Sequence, residues 1–245
     1  PPAQPKPRKD APSKEEEHPY DFEILPFDDA LLNYWAHYGI DEDTLRLFRV
    51  RSLKRYESVS AEGKKFEIFS SPTDPIFAYL GNGYVKIYRP HSTKVRFLYG
   101  GRMPATYCFG MEQIPSKGDI LFITGGEKDV LSLHAHGFNA ICFNSETAQI
   151  PESIIESLQL RFRHIILLYD ADDTGVREAR RQVEHLEKYK VLNLSLPLSG
   201  TKSEKDISDF FALGNGANDL KDLLAKMFSD MYSQTMMMLR SCEID

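Results

Sequence analysis

The residues best placed to do chemistry here are acids that follow apolar runs. Glu127 comes just after Ile120-Leu121-Phe122-Ile123-Thr124-Gly125-Gly126, and Asp170-Ala171-Asp172 just after Ile165-Ile166-Leu167-Leu168-Tyr169. A third group, Lys205-Asp206-Ile207-Ser208-Asp209, follows one strand-sized segment later. If the first two runs are neighbouring strands of one sheet, their carboxylates gather at one end of it. Carboxylates held that close repel one another unless a cation or protons compensate. Mg²⁺ suits such a group because it is hard, prefers oxygen, and keeps waters that phosphates can replace. The chemistry implied is metal-assisted work on phosphates.

Local geometry supports this and also supplies a competing reading. In an extended segment Asp170 and Asp172 point the same way and Asp173 the other, because side chains repeat every two residues. Helix capping would use the same residues. Asp-Asp-Thr-Gly ahead of a helix is good capping chemistry, acids such as Glu127 often begin helices, and Asp206 can simply cap a helix over 207–213.

The elements that must position these acids alternate from residue 119 onward. Continuously apolar runs at 120–123, 140–143, 164–169 and 191–195 read as strands. Helical spacing occupies 128–136, 152–160 and 175–189, with Val176, Ala179, Val183 and Leu186 expected on the apolar face of the last. Short apolar strands separated by amphipathic helices imply an α/β fold, a mostly parallel sheet with helices on both faces. Ligands of such sheets gather beyond the carboxyl ends of the strands, where Glu127 and Asp170 lie.

Ahead of this region the pattern differs. Leu31, Tyr34, Trp35 and Tyr38 recur at helical spacing between a capping Asp28 and a terminating Gly39, and a second short helix starts behind Asp41 or Asp43. Strand-like runs follow at 65–69, 76–80, 84–88 and 94–99, punctuated by Pro, Gly, Asn and Ser, as in an antiparallel meander. The expected organisation is a Pro-rich linker or disordered tail over 1–20, a small α+β subdomain over 21–115, the α/β domain over 116–215 and a helical segment over 216–245. That last helix should bury Leu220, Leu223, Leu224 and Met227, with Met236-Met237-Met238 either continuing it or joining another domain. The proline at position 1 and the linker-like start suggest a fragment whose natural chain carries a further domain ahead of it.

Bulk properties narrow the function classes. A net charge of −6 over 245 residues argues against coating nucleic acid by bulk attraction. No apolar run approaches the ~18 residues that span a bilayer and no amino-terminal signal pattern occurs, so a cytoplasmic protein without membrane partners is expected. Cys108, Cys142 and Cys242 are isolated, so no zinc module can be built. No phosphate-binding lysine loop surrounds Gly81-Asn82-Gly83 or any other glycine pair.

Taken in order, Ile123-Thr124-Gly125-Gly126-Glu127-Lys128-Asp129-Val130-Leu131, then Leu168-Tyr169-Asp170-Ala171-Asp172-Asp173-Thr174-Gly175, then Lys205-Asp206, resemble the Toprim domain. That domain is shared by bacterial-type primases, topoisomerases, OLD-family nucleases and RecR-type repair proteins. The wording of the motifs is most similar to the primases of phage primase-helicases and their mitochondrial relative Twinkle. The resemblance covers about 119–213 and implies that Glu127, Asp170, Asp172 and Asp206 are metal and catalytic positions, with Asp209 a looser metal match and Asp129 orienting the site or its helix. It departs at Gly125, where members often carry an acid. It further implies Mg²⁺ or Mn²⁺ as the cofactor.

The first half of the chain bears on which Toprim branch this is. Tyr84-Val85-Lys86-Ile87-Tyr88-Arg89-Pro90 and Lys94-Val95-Arg96-Phe97-Leu98-Tyr99 read as a hairpin. Lys86 shares a face with Tyr84 and Tyr88, and Lys94 one with Arg96. Basic groups beside aromatic ones suit a single-stranded backbone or nucleotide phosphates; a merely solvated strand face is the alternative. Lys86, Arg89, Lys94, Arg96 and Lys128 are thus the candidate nucleic-acid or nucleotide ligands. Tyr34-Trp35 through Val50 also resembles the entry to a primase core.

The expectation is a primase catalytic core from a phage, plasmid or other mobile element. Its partners would be single-stranded DNA template, ribonucleoside triphosphates and a replicative helicase, in trans or as a further domain. A Toprim nuclease and a non-catalytic Toprim-like DNA-binding module are the alternatives. A topoisomerase is disfavoured by length.

Overall fold

The computed structural model describes residues 19–60 and 62–242, and the side chains up to residue 237. The tail expected over 1–20 therefore lies outside the described residues up to position 18, while Tyr20 already belongs to a strand. The chain divides into two compact units: one takes the chain up to Leu31 and Arg49–Tyr107, the other Leu32–Phe48 and everything from Cys108.

The first unit is an antiparallel sheet built around one long strand. Strand β1 (Tyr20–Leu25) leads to helices α1 (Asp29–Ala36) and α2 (Glu42–Leu47); β2 (Val50–Val59), β3 (Lys65–Phe69), β4 (Ile76–Leu80), β5 (Tyr84–Tyr88) and β6 (Phe97–Gly101) follow. The sheet order is β1-β2-β4-β5-β6, with β3 also on β2. The ten residues of β2 explain this: its first half pairs with β4 (Leu53 opposite Ile76) and its second with β3 (Val59 opposite Lys65), while β1 takes its other edge. Leu53, Tyr56, Ile76, Ala78, Val85 and Ile87 form the core on one face. The sequence did not announce β1 or β2, because Arg51, Lys54, Arg55 and Glu57 interrupt β2's apolar residues. The β5–β6 hairpin forms as expected, with the Arg89 amide donating to the Arg96 carbonyl at 2.8 Å across its turn, although its second strand begins at Phe97 rather than Lys94.

The second unit is the α/β domain. Strand β7 (Cys108–Phe109) precedes β8 (Gly118–Thr124), α3 (Glu127–Ala135), β9 (Ala140–Phe143), α4 (Glu152–Gln159), β10 (Phe162–Leu168), α5 (Asp173–His185), β11 (Leu192–Asn193), α6 (Ile207–Ala212) and α7 (Ala217–Cys242). The order is β11-β10-β8-β9-β7, parallel except for the edge strand β7. Leu121, Ile123, Ile141, Ile165 and Leu167 enter one core, while the alternate residues Phe122, Cys142, Ile166 and Leu168 are buried too. Both faces are therefore covered, which is why these strands read as continuous apolar runs.

Two sequence expectations need correction. Residues 32–48, expected with the first subdomain, group with the α/β unit, and the divide falls at Tyr107/Cys108 rather than 115/116. Trp35 and Leu45 are fully buried there, Ser132 Oγ donates to the Tyr38 carbonyl at 2.6 Å, and the Phe48 ring meets Phe109 and His134. On α5, Ala179, Val183 and Leu186 pack on the core as expected, but Val176 is exposed, and Gly175, Glu178 and Gln182 face inward as well. The polar members of that face are used: Gln182 donates to the Ala148 carbonyl and accepts from the Ile150 amide. Helix α7 buries Leu220 and Leu224 and continues through the methionine run. Among the described residues, no helix is long and apolar enough to cross a membrane.

Candidate metal centre

The acids converge beyond the carboxyl ends of β8 and β10, within the second unit. Strand β8 runs into Gly125-Gly126, and α3 starts at Glu127; β10 runs into Tyr169-Asp170, and α5 starts at Asp173. Gly175 makes this second junction possible. A Cβ there would lie 2.1 Å from the Asp170 carbonyl oxygen, so only glycine lets the first turn of α5 pack against the Asp170 backbone. The third segment is tied on by backbone: the Ala171 amide donates to the Lys205 carbonyl at 2.7 Å.

One oxygen each from Asp129, Asp170 and Asp206 lie within 4.8 Å of one another. Asp170 and Asp206 were expected in this group. Asp129, expected to orient the site or its helix, completes the trio, of which Glu127 is not a member, and helix geometry gives the reason. Residues two apart on a helix project about 200° from each other. Asp129 is turned to α6, where Ser208 Oγ donates to it at 2.7 Å, whereas Glu127, also buried, opens the helix outside the close trio. Asp172 joins through a shared cation: Lys205 Nζ contacts Asp170 and lies 3.1 Å from Asp172. Asp170 and Asp172 thus face the same side, as their spacing implied.

Capping and clustering coexist. Asp172 accepts from the Thr174 and Gly175 amides, and Asp206 and Asp209 form a reciprocal capping box at the start of α6. Lys128, a candidate nucleotide ligand, sits among the acids: its Nζ is 3.1 Å from both Asp206 oxygens, 3.9 Å from Asp129 and Asp209, and 4.2 Å from the centre of the Tyr38 ring.

The electrostatics are those of a site short of positive charge. Burial, then repulsion from Asp206, pushes the Asp129 carboxyl well above its ordinary range, and Lys128 only partly opposes this. Burial likewise raises Asp170 against the pull of Lys205, whereas backbone and lysine hydrogen bonds hold Asp172 low. A further acid belongs here. Glu146, half-buried in the loop after β9, is hydrogen-bonded to Asp170, and burial with that neighbour pushes its carboxyl up to about 8. It satisfies the same sequence rule as Asp170, an acid just past an apolar strand.

This donor set, all carboxylate and without nitrogen or sulfur, fits a hard divalent cation such as Mg²⁺ or Mn²⁺ and not a zinc site.

The basic hairpin belongs to the first unit and is only partly available. Lys86 is 2% exposed, under the rings of Phe97, Tyr99 and Tyr107, so it is withdrawn from the surface set. Both faces of β5 are covered, whereas the alternation had implied one open face. Arg89 is paired with Asp74. Lys94 and Arg96 are exposed, with Arg96 also over the Tyr88 ring.

Comparison with known proteins agrees with this architecture. Residues 122–211 match the family described as Toprim-like. No curated protein matches the sequence. Among solved structures, the fold is similar to the zinc-binding and RNA polymerase domains of the Aquifex aeolicus primase, at 16% identity and a TM-score of 0.57, over 81% of this chain and 56% of that one. It is similar to a DNA primase domain from Pseudomonas aeruginosa, at 17% identity and 0.62, over 86% and 77%. The primase fragment of the bacteriophage T7 primase-helicase protein gives 15% and 0.51, over 89% and 81%. Residues 122–211 are thus Toprim-like, within a fold similar to those of solved primase cores, and the chain spans little more than half of the Aquifex structure.

Proposed function

We propose that this Toprim-domain chain is the catalytic core of a DNA primase, joining ribonucleotides into short primers on single-stranded DNA. The observation that carries the reading is the carboxylate trio Asp129, Asp170 and Asp206 at the carboxyl ends of β8 and β10, inside a fold similar to primase cores. These residues, with Asp172 beside them, would hold Mg²⁺ or Mn²⁺. When bound, such an ion neutralises triphosphate charge and stabilises the attacking and leaving oxygens of nucleotidyl transfer.

The chain's own residues do the rest. Ser208 and the α6 capping box fix Asp129 and Asp206, while Gly175 fixes Asp170 against α5. Lys128 and Lys205 hold the carboxylate charge in the metal-free protein, and their flexible stems let both ammonium groups turn to a triphosphate once the carboxylates are engaged. Lys94 and Arg96 supply exposed cations for template or nucleotide phosphates, with the salt sensitivity of such contacts. The T7 neighbour is named as part of a primase-helicase, and this favours a replicative helicase as the partner and a phage or mobile element as the setting.

The test is product analysis with labelled ribonucleotides on single-stranded template. Incorporation that depends on Mg²⁺ or Mn²⁺, and that is lost in the Asp170→Asn/Asp172→Asn double variant with the fold retained, supports the reading. Strand nicking without incorporation indicates a nuclease using the same acids. Binding to DNA with neither activity indicates a non-catalytic module.

A further inference from the structure

We propose that Glu146 is a carboxylate ligand of the divalent-cation centre, delivered from the loop between β9 and α4 through the space that Gly125 leaves open. This rests on the reading of the acidic group as a cation centre and extends it to a residue outside the three motif segments.

The first observation is steric. A Cβ built on Gly125 would stand 2.6 Å from Glu146 Oε1, 2.8 Å from its Cγ and 3.1 Å from its Cδ. The Glu146 carboxyl therefore fills the place that any side chain at 125 would need. Gly125 does not adopt a left-handed backbone, so it is the occupied space and not conformational freedom that calls for glycine here.

The second observation is where the carboxyl points. It hydrogen-bonds Asp170, the aspartate that also belongs to the Asp129 and Asp206 trio. The neighbouring strands β10, β8 and β9 thus each send acidic chain from the same end of the sheet: Asp170 and Asp172 after β10, Asp129 after β8, Glu146 after β9.

The third observation is a stand-in cation. The Lys205 ammonium sits against Asp170 and Asp172 and acts electrostatically on Glu146 as well. A positive charge thus stands against Asp170 within electrostatic reach of Glu146, as Lys128 stands against Asp206. A divalent cation that displaces Lys205 would meet the Glu146 oxygens next to those of Asp170.

The experiment is Mn²⁺ binding to the full chain, followed by electron paramagnetic resonance of the free ion, with circular dichroism to establish folding. Glu146→Gln keeps the shape and removes the charge. Gly125→Ala removes no charge but pushes the carboxyl aside. Both variants are expected to bind Mn²⁺ roughly tenfold or more weakly than wild type. Tight binding by wild type with unchanged affinity in folded Glu146→Gln overturns the inference and leaves the centre standing. Weakening by Glu146→Gln but not by Gly125→Ala overturns the route through Gly125. No binding by wild type overturns the centre itself.

Discussion

The Asp129→Asn substitution separates what the acidic centre costs the fold from what it gives to metal binding. Asp129 is buried, with oxygens of Asp170 and Asp206 within 4.8 Å. At an effective dielectric of about 20, each such neighbour repels an ionised Asp129 by roughly 3.5 kcal/mol. Lys128 Nζ, 3.9 Å from Asp129, returns roughly 4 kcal/mol on the same scale. The balance is a net penalty of roughly 3 kcal/mol.

The amide relieves that penalty and keeps a carbonyl oxygen for the Ser208 hydroxyl. In EDTA at pH 8 the variant should therefore unfold about 6–12 °C above wild type, since 1 kcal/mol moves a chain of this size by ~2–4 °C. In millimolar Mg²⁺ or Mn²⁺ the order should reverse, because wild type gains binding energy that the variant largely lacks. The assay is thermal unfolding by circular dichroism in the two buffers. A variant less stable than wild type in EDTA, or one with the full metal-induced shift, would refute the reasoning.

Four further outcomes follow from named contacts. Gly175→Ala drives a methyl into the Asp170 backbone and should cost about 3 kcal/mol in urea unfolding, with loss of metal binding. Asp206→Ala removes the capping box of α6 and should cost about 1 kcal/mol, readable in the same titration. The Glu146 carboxyl is raised from 4.5 to about 8, so its contribution is full below pH 4.5 and lost as pH rises through 8. Metal-free wild type should thus lose stability relative to Glu146→Gln between pH 5 and pH 8.5, and parallel pH profiles would count against this. Burial pushes the Cys108 thiol up to about 12, so peptide-level mass spectrometry should find it almost unlabelled by iodoacetamide at pH 7.5.

The α/β half of the fold was legible because its strands are buried on both faces and two of its helices, α5 and α6, are capped by acids. Asp28, Asp41, Asp172 and Asp206 all accept amide hydrogen bonds at helix starts. Strand β2 was not legible, because the charges that interrupt it reach neighbours across the sheet: Arg55 pairs with Asp21 and Glu67 and Lys54 with Glu23. The attachment of residues 32–48 to the α/β unit depends on what Trp35 packs against, which periodicity does not encode.

Within the site, the Asp170–Asp172 side and the place of Asp206 followed from spacing and from the family resemblance. Asp129 required knowing which way α3 turns. Glu146 satisfied the rule that drew attention to Asp170, an acid just past an apolar strand, and only its lack of a motif hid it. Lys86 shows the limit of alternation, which assigns faces but does not say whether a second layer covers them.

The central claim is metal-dependent joining of ribonucleotides by the Asp129, Asp170 and Asp206 centre, and primer synthesis tests it most directly. Labelled ribonucleotide should enter short oligomers on a single-stranded DNA template when Mg²⁺ or Mn²⁺ is present, and should not with EDTA or with a folded Asp170→Asn/Asp172→Asn chain. Synthesis that persists undiminished in the double variant would contradict the account.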